Sequence, residues 1–135
     1  MPRTAGRILG VLLISDPIAQ SITDIAQTLM ASKSSVSIMA RLLAENGLIE
    51  RVPSPMPRRD YYRFKPGGWV LYLRQWLALM AELHRITERG LALMADKPAE
   101  LRERLDEAHD CFSLVEEQFP ALLQTLEQRA RARAG

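Results

Sequence analysis

In the stretch "SITDIAQTLMASKSSVSIMARLLAENGLIE" (residues 21–50), two helical patterns are separated by "MAS" (30–32), which leaves room for a sharp corner and nothing more. Upstream of the corner, "SITD" (21–24) reads as a capping box with Asp in place of the usual Glu. The Ser21 hydroxyl would accept from the Asp24 N–H and start a short helix running to about Leu29. Ile22, Ile25, Ala26 and Leu29 share one side of that helix. Downstream, Ser32 can cap a second helix continuing to Asn46, and Gly47 supplies a left-handed stop. Two capped helices joined this tightly must cross at a steep angle, as in a helix-turn-helix.

The flanks extend the pattern. Residues 4–15 read as a preceding helix, ended by "DP" at 16–17. Gly6 and Gly10 share a face of it and would let another helix approach closely. Its apolar run "ILGVLLIS" (8–15) is too short to span a bilayer. Arg3 and Arg7 ahead of that run imitate a signal peptide, but no small-residue cleavage pattern follows, so a buried helix is expected. After the helix-turn-helix come two strand candidates, "LIERV" (48–52) and "DYYRF" (60–64). They are bounded by prolines and joined by the basic, proline-stiffened tip "PSPMPRR". "PGG" (66–68) closes the block.

Trp69 to about Met94 then reads as one helix of roughly 40 Å, at about 1.5 Å per residue. One apolar stripe is Trp69, Leu73, Trp76, Met80 and Leu83; a second is Tyr72, Trp76, Leu79, Leu83 and Ile86. Two stripes imply contact on two sides. Beyond "ADKP" (95–98), Leu101, Leu105, Ala108, Phe112, Val115, Phe119, Leu122 and Leu126 step by 4 and 3 as in a coiled-coil seam. Pro120 inside that seam predicts a kink or break, with a last helix starting near it. The expected fold is therefore mainly α with a small β-hairpin. A winged helix-turn-helix head spans residues 1–66, and long helices over 67–135 serve dimerisation and possible effector binding.

Charge agrees with a polyanion-binding head. The net charge of the chain is only +2, yet residues 1–66 carry nine Lys/Arg against five Asp/Glu, and residues 67–135 nine against eleven. Five basic residues (Arg51, Arg58, Arg59, Arg63, Lys65) crowd into 51–65 beside one acid, Asp60. In the helix 33–46, rotation by 100° per residue gathers Val36, Met39, Ala40 and Leu43 on the core side. Ser34, Ile38, Arg41 and Glu45 fall almost opposite, flanked by Ser37. With Ser35 in the same first turn, this outward face is short and smooth, as a helix entering a major groove about 12 Å wide requires. The serine hydroxyls and the free N–H groups of the helix start suit phosphates or base edges. Ile38 gains nothing by facing water but would gain against a thymine methyl, and Arg41 can reach a guanine edge or a phosphate. Arg58 and Arg59 at the tip and Arg63 on the returning strand suit the DNA backbone. The alternative is that the serines are capping residues on a solvent-facing helix, which is the expected role of Ser32, and that the hairpin is a solvated basic one. Arg3 and Arg7, four apart at a helix start, are weaker candidates that could equally be surface residues.

These residues resemble the MarR family of bacterial transcriptional regulators, nearest its glycine-betaine-repressor (GbsR-like) branch. The likeness rests on "PRTAGRILGVLL" (2–13), "SITDIAQTL" (21–29), "SKSSVSIMARLLAENGLIERV" (32–52) and "RRDYYRF" (58–64). It covers about the first half of the chain, while the second half shares the long-helix layout. The resemblance implies a homodimer whose recognition helices enter successive major grooves of double-stranded DNA while the wings touch flanking minor groove or backbone. It also implies a small-molecule effector held between the head and the dimerisation helices. Many wings of the family carry Asp-x-Arg near the tip. Here Pro57 stands at the Asp position while Arg59 fits the Arg, so acidic bracing of the wing is in question. Chains of the family usually begin with an extra dimerisation helix. This one starts almost directly at the head, so a dimer would rely more on residues 69–133.

No catalytic constellation is visible, and an enzyme is not expected. His84 and His109 read as isolated. One Cys and two His are too few soft ligands for a zinc site, so neither a metal nor a cofactor is expected. Cys111, the single cysteine, reads as a core or seam residue and excludes an intrachain disulfide, which is compatible with the cytoplasm. Trp69, Tyr72 and Trp76 could line an effector pocket, and such rings could hold a quaternary ammonium by cation–π attraction. The sequence thus points to a dimeric DNA-binding regulator, with the role of a repressor expected; the alternative is a winged-helix adaptor that binds protein without binding DNA.

Overall fold

Both expected caps form in the computed structural model, which describes residues 1–54 and 59–135. The Ser21 hydroxyl accepts from the Asp24 N–H at 3.0 Å, and the Ser32 hydroxyl from the Ser35 N–H at 3.2 Å. Between them Met30 takes a left-handed conformation (φ 54°). Its N–H reaches the Gln27 carbonyl and the Ala31 N–H the Ala26 carbonyl, closing the first helix by a Schellman motif. The elements in chain order are α1 (Arg3–Ile14), β1 (Gln20–Ser21), α2 (Ile22–Leu29), α3 (Lys33–Glu45), β2 (Ile49–Val52), β3 (Tyr61–Phe64), α4 (Gly68–Leu93) and α5 (Ala99–Ala134).

The two expected strands pair antiparallel, with Glu50 opposite Arg63 and Val52 opposite Tyr61. A third strand, β1, joins the other edge of β3, giving the order β1-β3-β2. Two residues are too few to leave a periodic signal. What places β1 is the start of α2: the Ile22 N–H donates to the Asp60 carbonyl at 3.2 Å. The sheet is thereby stitched to the helix-turn-helix.

The chain divides into two compact units, Met1–Tyr72 and Leu73–Gly135. The first holds the core: Ile8, Leu9 and Leu12 of α1, Ile25 and Leu29 of α2, Val36, Ala40 and Leu43 of α3, then Leu48, Ile49 and Tyr62. Burying each large side chain contributes roughly 1.5–3 kcal/mol. This unit extends past residue 66 because the start of α4 packs on it. The Trp69 ring lies 5.5 Å from that of Phe64, and Leu71 sits on Gly47. Gly6 and Gly10 depart from expectation. Among the described residues, no atom beyond their own helix backbone comes within 4 Å of a Cβ built at either, so they receive no second helix there.

The second unit is an antiparallel helical hairpin. Trp76 meets Phe119 with ring centroids 4.9 Å apart, Arg74 pairs with Glu127, and Gly90 lets Leu105 come within 2.8 Å of where a Cβ would stand. Of the kink or break expected at Pro120, the break does not occur, and α5 is continuous through it. Proline removes one N–H and crowds one carbonyl. Here the helix is pinned on both sides of that defect, by Phe119 before it and by buried Leu123 and paired Glu127 after it. Among the described residues no helix is long and apolar enough to cross a membrane.

Candidate nucleic-acid interface

The amphipathic division of α3 fixes what it presents outward. Val36, Ala40 and Leu43 are fully buried, so the opposite side must face solvent. Ser34, Ile38, Arg41 and Glu45 lie there, all exposed, with Ile38 at 57%. Ser35 and Ser37 are half-buried at the flanks. The hydroxyls of Ser32 and Ser34 are 3.4 Å apart, so the cap and the first outward serine form one polar patch at the helix start.

That patch opens into a concavity of about 340 Å³ between α2, α3 and the base of the wing. Thr23, Lys33, Ser34, Ser37, Arg59 and Asp60 line it. Two cations, three hydroxyls and the unpaired N–H groups of a helix N-terminus make a surface suited to an anionic backbone. Beyond it, Ile38, Arg41 and Glu45 border a shallower depression of about 250 Å³. Lys33 and Thr23 were not singled out from the sequence. Lys33 stands inside the serine run as its one charged member, and that was the available signal.

The wing is braced. Arg51 on β2 pairs with Asp60 next to β3. An acidic brace therefore exists, supplied by Asp60 and not from the family position that Pro57 occupies. Arg63 departs from its expected role in that its guanidinium already has a partner. Its Nε donates to Glu50 Oε1 across the strands at 2.7 Å. Reaching a phosphate would require leaving that acid. Arg59 is exposed at the base of the tip. Arg58 and Pro57 lie outside the described residues. Arg7 has a partner within the protein: its Nη2 donates to the Leu29 carbonyl at 2.8 Å, tying α1 to an orphan carbonyl at the end of α2.

The three aromatic residues expected at an effector pocket fall into separate settings. Trp69 stacks near Phe64 and meets Tyr72 edge-on at 6.5 Å in the first unit. Trp76 packs on Phe119 in the second. Two other expectations need correction. His84 and His109 are not isolated, because antiparallel packing brings their Nε2 atoms to 3.2 Å. Cys111 is exposed within the chain, which removes the core half of the core-or-seam reading.

Known proteins agree with this geometry. A family model described as the MarR family matches residues 1–60, and one described as MmpR5-like MarR family transcriptional regulator matches residues 67–129. The HTH-type transcriptional regulator MmpR5 of Mycobacterium tuberculosis (strain ATCC 25618 / H37Rv) is 36% identical over 129 residues, covering 96% of this chain and 78% of its own. A crystal structure described as that of a transcriptional regulator superposes with a TM-score of 0.75 at 35% identity, over 95% of this chain and 87% of the other. This chain belongs to the MarR family of transcriptional regulators, among its MmpR5-like members.

Proposed function

We propose that this DNA-binding transcriptional regulator acts as a homodimeric repressor, with Ser34, Ser37, Ile38 and Arg41 entering the major groove and Arg59 on the backbone. The observation that carries the reading is the concavity where Lys33, the α3 serines and Arg59 converge. Ser35 and Arg58 are secondary contacts in this reading, and Arg63 becomes one on release from Glu50. Two heads related by a two-fold axis would meet half-sites about one helical turn, roughly 34 Å, apart. The repressor acts in the cytoplasm, where its operator is.

Binding to genomic duplexes at two salt concentrations tests this directly. Affinity should fall steeply with added salt; absent or salt-independent binding would leave the protein-adaptor reading in its place. Arg59→Ala should weaken binding to all sequences alike and flatten the log–log salt slope by about one unit. An unchanged slope would remove the wing base from the contact set. Ile38→Ala should behave differently, changing preference at one base position more than overall affinity. Selection on random duplexes reads this out, and equal loss on every sequence would count against a thymine-methyl contact.

Effector control belongs to the same proposal. Trp69 and Tyr72, with Trp76 further along α4, are the residues assigned to it. An effector that tilts the helices would alter half-site spacing and release the operator. The narrower likeness to the glycine-betaine-repressor branch supplies the first compound to try, a quaternary ammonium, which rings of this kind attract. Quenching of tryptophan fluorescence, lost in Trp69→Leu, would support it.

A further inference from the structure

Midway along the helical hairpin of the second unit lies a cluster that DNA binding does not use. His84 and Glu88 are one turn apart on α4 and so share a face. His109 faces them from α5. The Nε2 atoms of the two histidines are 3.2 Å apart, and Glu88 Oε1 lies 3.6 Å from one and 3.9 Å from the other. A triangle with those sides has a point about 2.1 Å from all three corners, which is the length of a zinc–nitrogen or zinc–carboxylate bond, about 2.0–2.2 Å.

The surrounding groups favour the metal-binding form of this triangle. Glu116 Oε2 is hydrogen-bonded to Nδ1 of His84. An ionised carboxylate can only accept, so this contact favours the tautomer that donates from Nδ1, and in that tautomer the Nε2 lone pair is left for a metal ion. A carboxylate behind a ligating histidine is the usual arrangement for fixing tautomer and ring orientation. Both imidazoles are largely shielded, with side chains 19% and 26% exposed, while Glu88 stands at the solvent edge where an ion could enter. The neighbouring cation Arg85 is engaged by Glu82 at 2.7 Å.

We propose that His84, Glu88 and His109 bind one divalent transition-metal ion of the zinc type per chain, with Glu116 as the positioning residue behind His84. Two imidazoles and one carboxylate leave a fourth position for solvent. The ion would cross-link α4 to α5 at the middle of the hairpin. This inference stands apart from the DNA reading and survives its failure.

The test is titration of the untagged, chelator-stripped chain with Zn²⁺ in competition with a chromophoric chelator, and with Co²⁺ by visible absorption. One ion per chain should bind, with ligand-field bands, without a thiolate charge-transfer band, and with a rise in Tm. His84→Ala and His109→Gln should abolish saturable binding, with folding checked by circular dichroism. If His84→Ala does not fold, His109→Gln decides. Glu116→Gln should weaken binding by about 10–100-fold. Cys111→Ser should change nothing. Failure to saturate at one ion per chain, or binding kept by the folded histidine variants, would overturn the proposal.

Discussion

Replacing Leu79 and Ile86 together by Glu is expected to convert the protein to monomers and to lower operator affinity by at least about a hundred-fold, the scale on which linked binding sites act. The reason lies in what the second unit fails to bury. Leu79, Ile86 and Leu93 are spaced by seven on α4 and so lie along nearly one line of it. They are 53%, 54% and 77% exposed. Among the described residues of this unit only Thr87 and Leu123 are buried. A two-helix hairpin has too little interior to hold itself together by burial. A second copy laid on this stripe about a two-fold axis would cover it, and each Leu or Ile so covered contributes roughly 1.5–3 kcal/mol. Carboxylates at both positions would meet their symmetry mates in an apolar seam with nothing to pair them. Sedimentation velocity reads the assembly and duplex titration the affinity. A double variant that still sediments as a dimer would place the interface elsewhere.

The head was legible because its signals are local. Each cap of α2 and α3 is a serine three residues from the N–H it accepts, and the face of α3 follows from helical period alone. Ile38 and Arg41 therefore appeared on the outside before any coordinates. What was missed depends on partners far apart in sequence. β1 exists because Ile22 meets Asp60, and Arg63 is diverted by Glu50 across a strand pair. His84 and His109 are 25 residues apart, and no spacing rule joins them. They meet because α4 and α5 run antiparallel. The break expected at Pro120 was a local rule overridden by packing on both sides of the residue. Trp69 and Tyr72 lie on two apolar stripes of α4 that meet at Trp76, yet Trp69 and Tyr72 pack in the first unit and Trp76 packs on Phe119.

Gly47→Ala should destabilise the first unit by about 2–5 kcal/mol, from roughly 1–2 for a left-handed backbone and 1–3 for overpacking. Gly47 ends α3 at φ 77°. Its N–H bonds the Ala44 carbonyl and the Leu48 N–H the Leu43 carbonyl, both at 3.0 Å, in a second Schellman motif. Positive φ alone does not demand glycine here, because Met30 takes the same region with its side chain in solvent. The difference is Leu71, whose Cδ2 lies 2.4 Å from where the Cβ of residue 47 would stand. The end of the proposed recognition helix and the first turn of α4 thus touch through a position that tolerates no side chain. A Tm drop of about 10 °C is the expected reading for a domain of this size. Adding Leu71→Ala should recover the steric part and leave the backbone part, so the two substitutions will not be additive. Strict additivity would mean that Leu71 is not what the alanine strikes, and the loss would then belong to the backbone alone.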